Sequence, residues 1–178
     1  MKTTITKGLQ SAALALVVLL GAILPATSQT LTITTTKKVG EKIHIVMYTN
    51  TAVTMTGVKE QYQTPYASYT LTDQTVTIKG GIKSFESSGQ EITAITLDKM
   101  SGMTSLIVDN NQLATLDVTQ CPDLVQLQCY KNKLTSLNFA GCKSLGELDC
   151  SNNLLTELTF SGNENLSFLQ CTNNKLTT

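Results

Sequence analysis

From residue 103 onward the hydrophobic positions recur every 21 residues with no insertion or deletion. Met103, Leu124, Leu145 and Leu166 align, and so do Leu106, Leu127, Leu148 and Leu169. The next column is Val108, Cys129, Cys150 and Cys171, followed by Asn111, Asn132, Asn153 and Asn174, and then by Leu113, Leu134, Leu155 and Leu176. Leu116, Leu137 and Leu158 continue the unit, then Val118, Phe139 and Phe160, and it closes on Cys121, Cys142 and Asn163. A weaker copy runs upstream in the same frame through Ile82, Phe85, Ser87, Gln90, Ile92, Ile95, Leu97 and Met100. A fixed period of this length marks a solenoid, whose units bury their apolar faces only against neighbouring units. The units are a degenerate first coil at 82–102, full coils at 103–123, 124–144 and 145–165, and a partial coil at 166–178.

Within each unit a second, shorter period appears. In "ELDCS", Leu148 and Cys150 alternate with Glu147, Asp149 and Ser151, which is the pattern of a strand with one face buried. Stacked coils would set these short strands parallel, about 4.8 Å apart. The chain must turn after the strand, and buried carbonyls in that turn need donors. An Asn amide donates and accepts at once, so Asn111, Asn132, Asn153 and Asn174 are expected to bridge one coil to the next. The return legs "LTSLNF" and "LTELTF" alternate again and predict extended rather than helical chain. A Thr column (Thr93, Thr135, Thr156, Thr177) is expected to serve hydrogen bonding at a corner.

The columns spell L-x-x-L-x-C/V-x-x-N-x-L-x-x-L-x-V/F, which resembles the leucine-rich repeat family. The 21-residue form with cysteine in one leucine column looks like the cysteine-bearing internalins and the leucine-rich surface proteins of Bacteroidota, over about Ile82 to Thr178. The resemblance implies a bacterial cell-surface or extracellular protein (a periplasmic one is the alternative), with adhesion to host or neighbouring cells as its role. The partner would be a protein or a surface glycan, held on a concave β-face.

Upstream, the stretch from Leu31 to Lys79 alternates in "TLTITTT", "KIHIVMYT", "AVTMTGV", "ASYTLT" and "QTVTIKG", with turn-rich breaks between the runs. The expected architecture is therefore mainly β. A small antiparallel β unit at 29–80 caps a leucine-rich-repeat solenoid at 81–178, the two being joined through Gly80 and Gly81. An immunoglobulin-like or independent adhesive module is the other reading of the front unit. "NNKLTT" stops partway round a coil, so a longer protein is expected, with an incomplete last coil here.

The first residues have a different character. "MKTTITKG" carries Lys2 and Lys7 and no acid, an unbroken apolar run extends from Ser11 to Leu24, and Ala26, Thr27 and Ser28 supply small residues. These are the three parts of a secretory signal peptide at 1–28. The apolar run is short of the roughly 20 residues a membrane span needs, so no membrane insertion is expected once the signal is removed. The first cysteine is Cys121, which excludes a lipid-bearing N-terminal cysteine. Beyond the signal, 11 lysines face 13 acidic residues, and the chain has no arginine. Arginine forks dominate phosphate and guanine recognition, so nucleic acid is not an expected partner.

Candidate chemistry is sparse. His44 is the single histidine, which leaves neither a Ser-His-acid triad nor a Cys-His pair to assemble. No C-x-x-C occurs, and Cys129, Cys150 and Cys171 would stand in a line, which cannot cage a metal tetrahedrally. Parallel Cβ vectors suit a disulfide poorly, so a buried, reduced ladder is expected, with Cys121 and Cys142 forming a second stack. The carboxylates Asp109 and Asp149 are read as one strand slot two coils apart, pointing into solvent without a pocket to tune them. No enzyme activity, cofactor or metal is expected. Recognition falls to the outward positions, which vary while the buried columns do not. They are Ser105, Ile107 and Asp109; Gln126, Gln128 and Tyr130; Glu147, Asp149 and Ser151; and Phe168, Gln170 and Thr172. Ile107, Tyr130 and Phe168 are the expected anchors. A structural spacer is the competing reading.

Overall fold

The computed structural model describes residues 28–62 and 64–177; the signal peptide expected at 1–28 lies, but for Ser28, outside them. The alternating runs of the front unit form β1 (Thr30–Thr35), β2 (Lys42–Thr49), β3 (Thr54–Thr56), β4 (Tyr66–Thr70) and β5 (Thr75–Lys79). The first coil contributes β6 (Ile82–Glu86) and β7 (Ile92–Asp98). Each later coil has a three-residue strand on its leading leg: β8 (Ser105–Ile107), β10 (Gln126–Gln128), β12 (Glu147–Asp149) and β13 (Phe168–Gln170). Two return legs carry β9 (Thr115–Asp117) and β11 (Ser136–Asn138). The described residues contain no helix, as the alternation on the return legs requires.

These strands build two walls. One is a seven-stranded sheet in the order β13-β12-β10-β8-β6-β2-β4, parallel from β6 onward and antiparallel at β2 and β4. The other is the four-stranded sheet β3-β5-β1-β7, followed along the same side by the parallel pair β9 and β11. One apolar core fills the space between them, from Leu31 and Ile33 in the front unit through Phe85, Leu106 and Leu127 to Leu148 and Leu155. Leu169, Leu176 and Phe160 depart from the expected core columns and are exposed, because among the described residues a neighbouring coil covers them on one side only.

The front unit meets the solenoid by strand pairing on both walls: β2 lies antiparallel on β6, and β1 lies antiparallel on β7. Where β2 runs past β6, the backbone of His44 is served by side chains. Ser87 Oγ donates to His44 O at 2.9 Å, and His44 N–H donates to Gln90 Oε1 at 3.1 Å. Ser87 and Gln90 occupy the cysteine and asparagine columns of the first coil, so the degeneracy of that coil matches its antiparallel neighbour. The Gly80–Gly81 joint is tightly packed. A Cβ on Gly81 would sit 1.9 Å from Asn50 Oδ1, and Gly80 has φ of 148°, a conformation that suits glycine.

The Asn column does what its chemistry suggests. Asn153 Nδ2 donates to Cys129 O in the preceding coil and to Cys150 O in its own, both at 3.0 Å, while its Oδ1 accepts from Leu134 N at 3.0 Å. Asn111, Asn132 and Asn174 repeat the arrangement. The preceding residue in each turn is left-handed: Gly89, Asn110, Lys131, Asn152 and Asn173 have φ of 66°, 54°, 51°, 55° and 57°. Glycine and asparagine adopt that conformation readily, which accounts for the recurring Asn-Asn pairs.

Candidate functional site

On the solenoid's leading legs, strand alternation turns Leu106, Leu127, Leu148 and Leu169 inward and presents two columns outward. Their registers are Ser105↔Gln126↔Glu147↔Phe168 and Ile107↔Gln128↔Asp149↔Gln170. The first column is linked across strands. Ser105 Oγ donates to Gln126 Oε1 at 3.1 Å, and Gln126 Nε2 donates to Glu147 Oε2 at 3.0 Å. This links side chains of three coils, with the exposed Phe168 next in line.

The third expected column, Asp109, Tyr130, Ser151 and Thr172, lies past the strands in the turn, and two of its members do not face solvent. Asp109 is 4% and Ser151 2% exposed. The left-handed residue that follows each of them folds the turn over its own polar groups. Asp109 accepts from Ser88 Oγ at 2.6 Å and from Asn110 Nδ2. Asp149 Oδ1 accepts from Ser151 N at 3.0 Å and from Ser151 Oγ at 2.7 Å. Asp109 and Asp149 also do not share a slot: Asp149 is in register with Gln128 and Ile107, while Asp109 belongs to the column of Tyr130 and Ser151. Tyr130 stays partly exposed. Partial burial, then the nearby Asp109 carboxylate, raises its phenol, which stays a neutral donor at physiological pH. Lys131 Nζ lies 5.9 Å from the centre of the Tyr130 ring.

The outer face does not end at the first coil. Through Ser84↔Ser105 and Glu86↔Ile107 it continues onto β6, then through Tyr48↔Ser84 and Val46↔Glu86 onto β2, and through Tyr66↔Val46 and Ser68↔His44 onto β4. Six strand intervals span about 29 Å. Tyr48, Tyr66 and the hydrogen-bonded pair Ser68 Oγ and His44 Nδ1, 2.7 Å apart, were not among the expected site residues. The signal was present as alternation, since Ile43, Ile45 and Met47 are buried and His44, Val46 and Tyr48 must point the other way.

The cysteines are free; Cys121, Cys129, Cys142 and Cys150 are buried and Cys171 partly so. Burial, and secondarily the neighbouring thiol, pushes Cys121 and Cys150 up to about 12 and Cys129 well above its ordinary value; burial pushes Cys142 to about 11. Thiolate, the nucleophilic and metal-binding form, is therefore suppressed at neutral pH in these four. Cys142 Sγ lies 3.3 Å from Val118 O as a donor. Among the described residues no group of three or more His, Cys, Asp and Glu side chains converges into a metal site.

A solved structure also contains a ladder of cysteines. The functional domain of InlJ from Listeria monocytogenes, described as including a cysteine ladder, is similar at 35% identity with a TM-score of 0.52. The fold is a leucine-rich-repeat solenoid. The likeness covers 61% of this chain and 24% of that one, so the matched part spans about a quarter of the InlJ chain's length. No family model matches the sequence, and no curated protein matches it. Among the described residues no helix is long and apolar enough to cross a membrane.

Proposed function

We propose that the chain is a non-enzymatic binding module of an exported bacterial surface protein, engaging a protein or surface glycan in adhesion. One observation carries the reading. The outward side chains of β8, β10, β12 and β13 differ from coil to coil while the Leu, Cys and Asn columns behind them repeat in sequence and in hydrogen bonding. A scaffold held this uniformly presents its outer residues in fixed positions at little entropic cost, which favours binding through many modest contacts. The likeness to InlJ, an internalin-type repeat domain, supports a surface-exposed role.

The test uses beads coated with the protein, laid on a cultured epithelial layer and on a bacterial layer. Wild-type beads are expected to be retained on one of them. Tyr130→Ala with Phe168→Ala, the first partly exposed in the turn after β10 and the second outward on β13, is expected to cut retention by about tenfold or more, as loss of an aromatic anchor does. Retention on neither layer would favour a structural spacer that presents another part of a longer protein, and retention that ignores both substitutions would place the contact on other residues.

A further inference from the structure

The largest exposed aromatic cluster lies outside the repeats. Four of the chain's five tyrosines fall between residues 48 and 69. Tyr69 is buried in the core and packs against Tyr62 with ring centres 5.7 Å apart, whereas Tyr62, Tyr48 and Tyr66 are 47%, 51% and 70% exposed. Tyr48 and Tyr66 stand edge to face at 83° with centres 6.5 Å apart, and their hydroxyls meet at 3.1 Å. The pair therefore holds two exposed rings in a fixed relation. Exposed aromatic surface grouped in this way marks a contact site far more often than scattered apolar residues do.

Two hollows flank the pair. One of about 140 Å³ is lined in part by Tyr48, Thr49, Tyr62, Thr64 and Pro65. The other, of about 250 Å³, is lined by His44, Val46, Tyr66 and Ser68 among others. Their chemistry is consistent: ring faces and short apolar walls, with hydroxyls from Thr49, Thr64 and Ser68 and an imidazole that both donate and accept. No lysine lines either hollow. Glu86 stands opposite Val46 on the neighbouring strand, and its carboxylate acts on Tyr48, which disfavours an anionic ligand. Apolar faces combined with a few bidirectional polar groups suit a ligand that has an apolar ring face and a rim of uncharged hydroxyls.

We infer that Tyr48 and Tyr66, with His44, Ser68, Thr49 and Thr64, form a binding site for a neutral saccharide on the front unit. A sugar ring lies against Tyr66 with its C–H face, and its hydroxyls exchange hydrogen bonds with the Ser68–His44 pair. The site is separate from the solenoid positions proposed above, although both open on the outer face of the same sheet, so a glycan chain bound here has a path across β6 toward β8.

Affinity electrophoresis in native gels tests this, with soluble mannan, β-glucan, dextran and galactan as neutral probes and heparin as an anionic one. Tyrosine fluorescence provides a second readout, since the chain has no tryptophan and its emission comes from five tyrosines. At least one neutral polysaccharide is expected to retard the protein and perturb that emission, while heparin does neither. Tyr66→Ala is expected to weaken retardation by more than tenfold with an unchanged melting temperature, as suits a side chain this exposed. Tyr66→Phe, which keeps the ring, is expected to retain most of the binding. Tyr130→Ala and Phe168→Ala are expected to leave it intact, even if they abolish bead adhesion. The inference is overturned if no neutral polysaccharide retards the protein, if heparin alone does, or if a proline-rich peptide perturbs the tyrosines where no polysaccharide does. It also fails if Tyr130→Ala abolishes retardation and Tyr66→Ala does not, which would move the sugar to the solenoid face.

Discussion

Cys142 and Asn163, one repeat apart, make the same hydrogen bond with different atoms. Cys142 Sγ donates to Val118 O at 3.3 Å and Asn163 Nδ2 donates to Phe139 O at 3.1 Å, each reaching back 24 residues. The amide does more, since Asn163 also donates to Cys142 O and accepts from Ser161 N. Exchange in this direction should be graded. Asn163→Cys is expected to cost about 1 kcal/mol and Asn163→Ala about 2 kcal/mol, given the net worth of such bonds. Urea denaturation of the two variants measures the order, and equal losses would mean that the thiol's bond contributes nothing.

The inner Asn ladder is the larger stabiliser. Asn153 is buried and links two coils with two donors and one acceptor, so removing it orphans backbone groups that water does not reach. Asn153→Ala is expected to cost about 3 kcal/mol, using 1–3 kcal/mol per unsatisfied buried group. Asn174→Ala should cost clearly less, because Asn174 is only partly buried. Comparing denaturation midpoints at a common slope decides this, and a smaller loss at Asn153 than at Asn174 would contradict the ladder's role.

The parts of this molecule legible in its sequence are those written as one residue type at one offset. Asn111 to Asn174 and Cys129 to Cys171 are such columns, and their partners could be named because each coil repeats its neighbour. Legibility stopped where structure depends on backbone hand or on pairing between unlike segments. Asp109 and Ser151 look outward by strand alternation, yet the left-handed residues Asn110 and Asn152 curl the turn and bury them. Tyr48 and Tyr66 come together only because β2 and β4 pair antiparallel, and antiparallel register leaves no repeated identity to read.

Alkaline conditions should weaken the fold through its thiols. Burial raises Cys121 and Cys150 from 9.0 to about 12 and Cys142 to about 11, and raises Cys129 well above 9.0. Above pH 9 the unfolded chain sheds these protons while the folded one keeps them, so the unfolded state binds fewer protons and stability falls as pH rises. The thiol contribution is complete below about pH 9 and is lost progressively toward pH 12. Urea midpoints between pH 8 and 10.5 should decline, and Cys150→Ala should flatten the slope. In the same pH 8 buffer a thiol reagent is expected to label Cys171 first and all five cysteines only in denaturant. Fewer than about four reactive thiols after unfolding would reveal a disulfide instead.

Lys131 is the odd member of the left-handed column, with φ of 51° where its neighbours are Asn110 and Asn152. A side chain without a local hydrogen bond to its own turn pays roughly 1–2 kcal/mol for that conformation. Its contact with the Tyr130 ring is exposed and worth about 0.5 kcal/mol. Lys131→Asn is therefore expected to stabilise by about 1 kcal/mol, or roughly 3 °C in Tm for a chain of this size. Calorimetry would show it, and a lower Tm would mean that the contact outweighs the backbone strain.

The seam at His44 makes the sharpest claim about the first coil. If Ser87 and Gln90 depart from the repeat because they serve the antiparallel neighbour, restoring the repeat should be harmful. Gln90→Asn is one methylene too short to reach His44 N–H, now bonded at 3.1 Å, and Ser87→Cys replaces the hydroxyl bonded to His44 O at 2.9 Å with a weaker donor. Each is expected to cost about 1–2 kcal/mol. Both act on one residue's backbone, so the double variant should lose less or more than the sum of the two, by at least about 0.5 kcal/mol. Denaturation of the four proteins of this cycle measures it. If the consensus-restored coil proves as stable as the original, its degeneracy is sequence drift and the front unit is held by strand pairing and apolar packing alone.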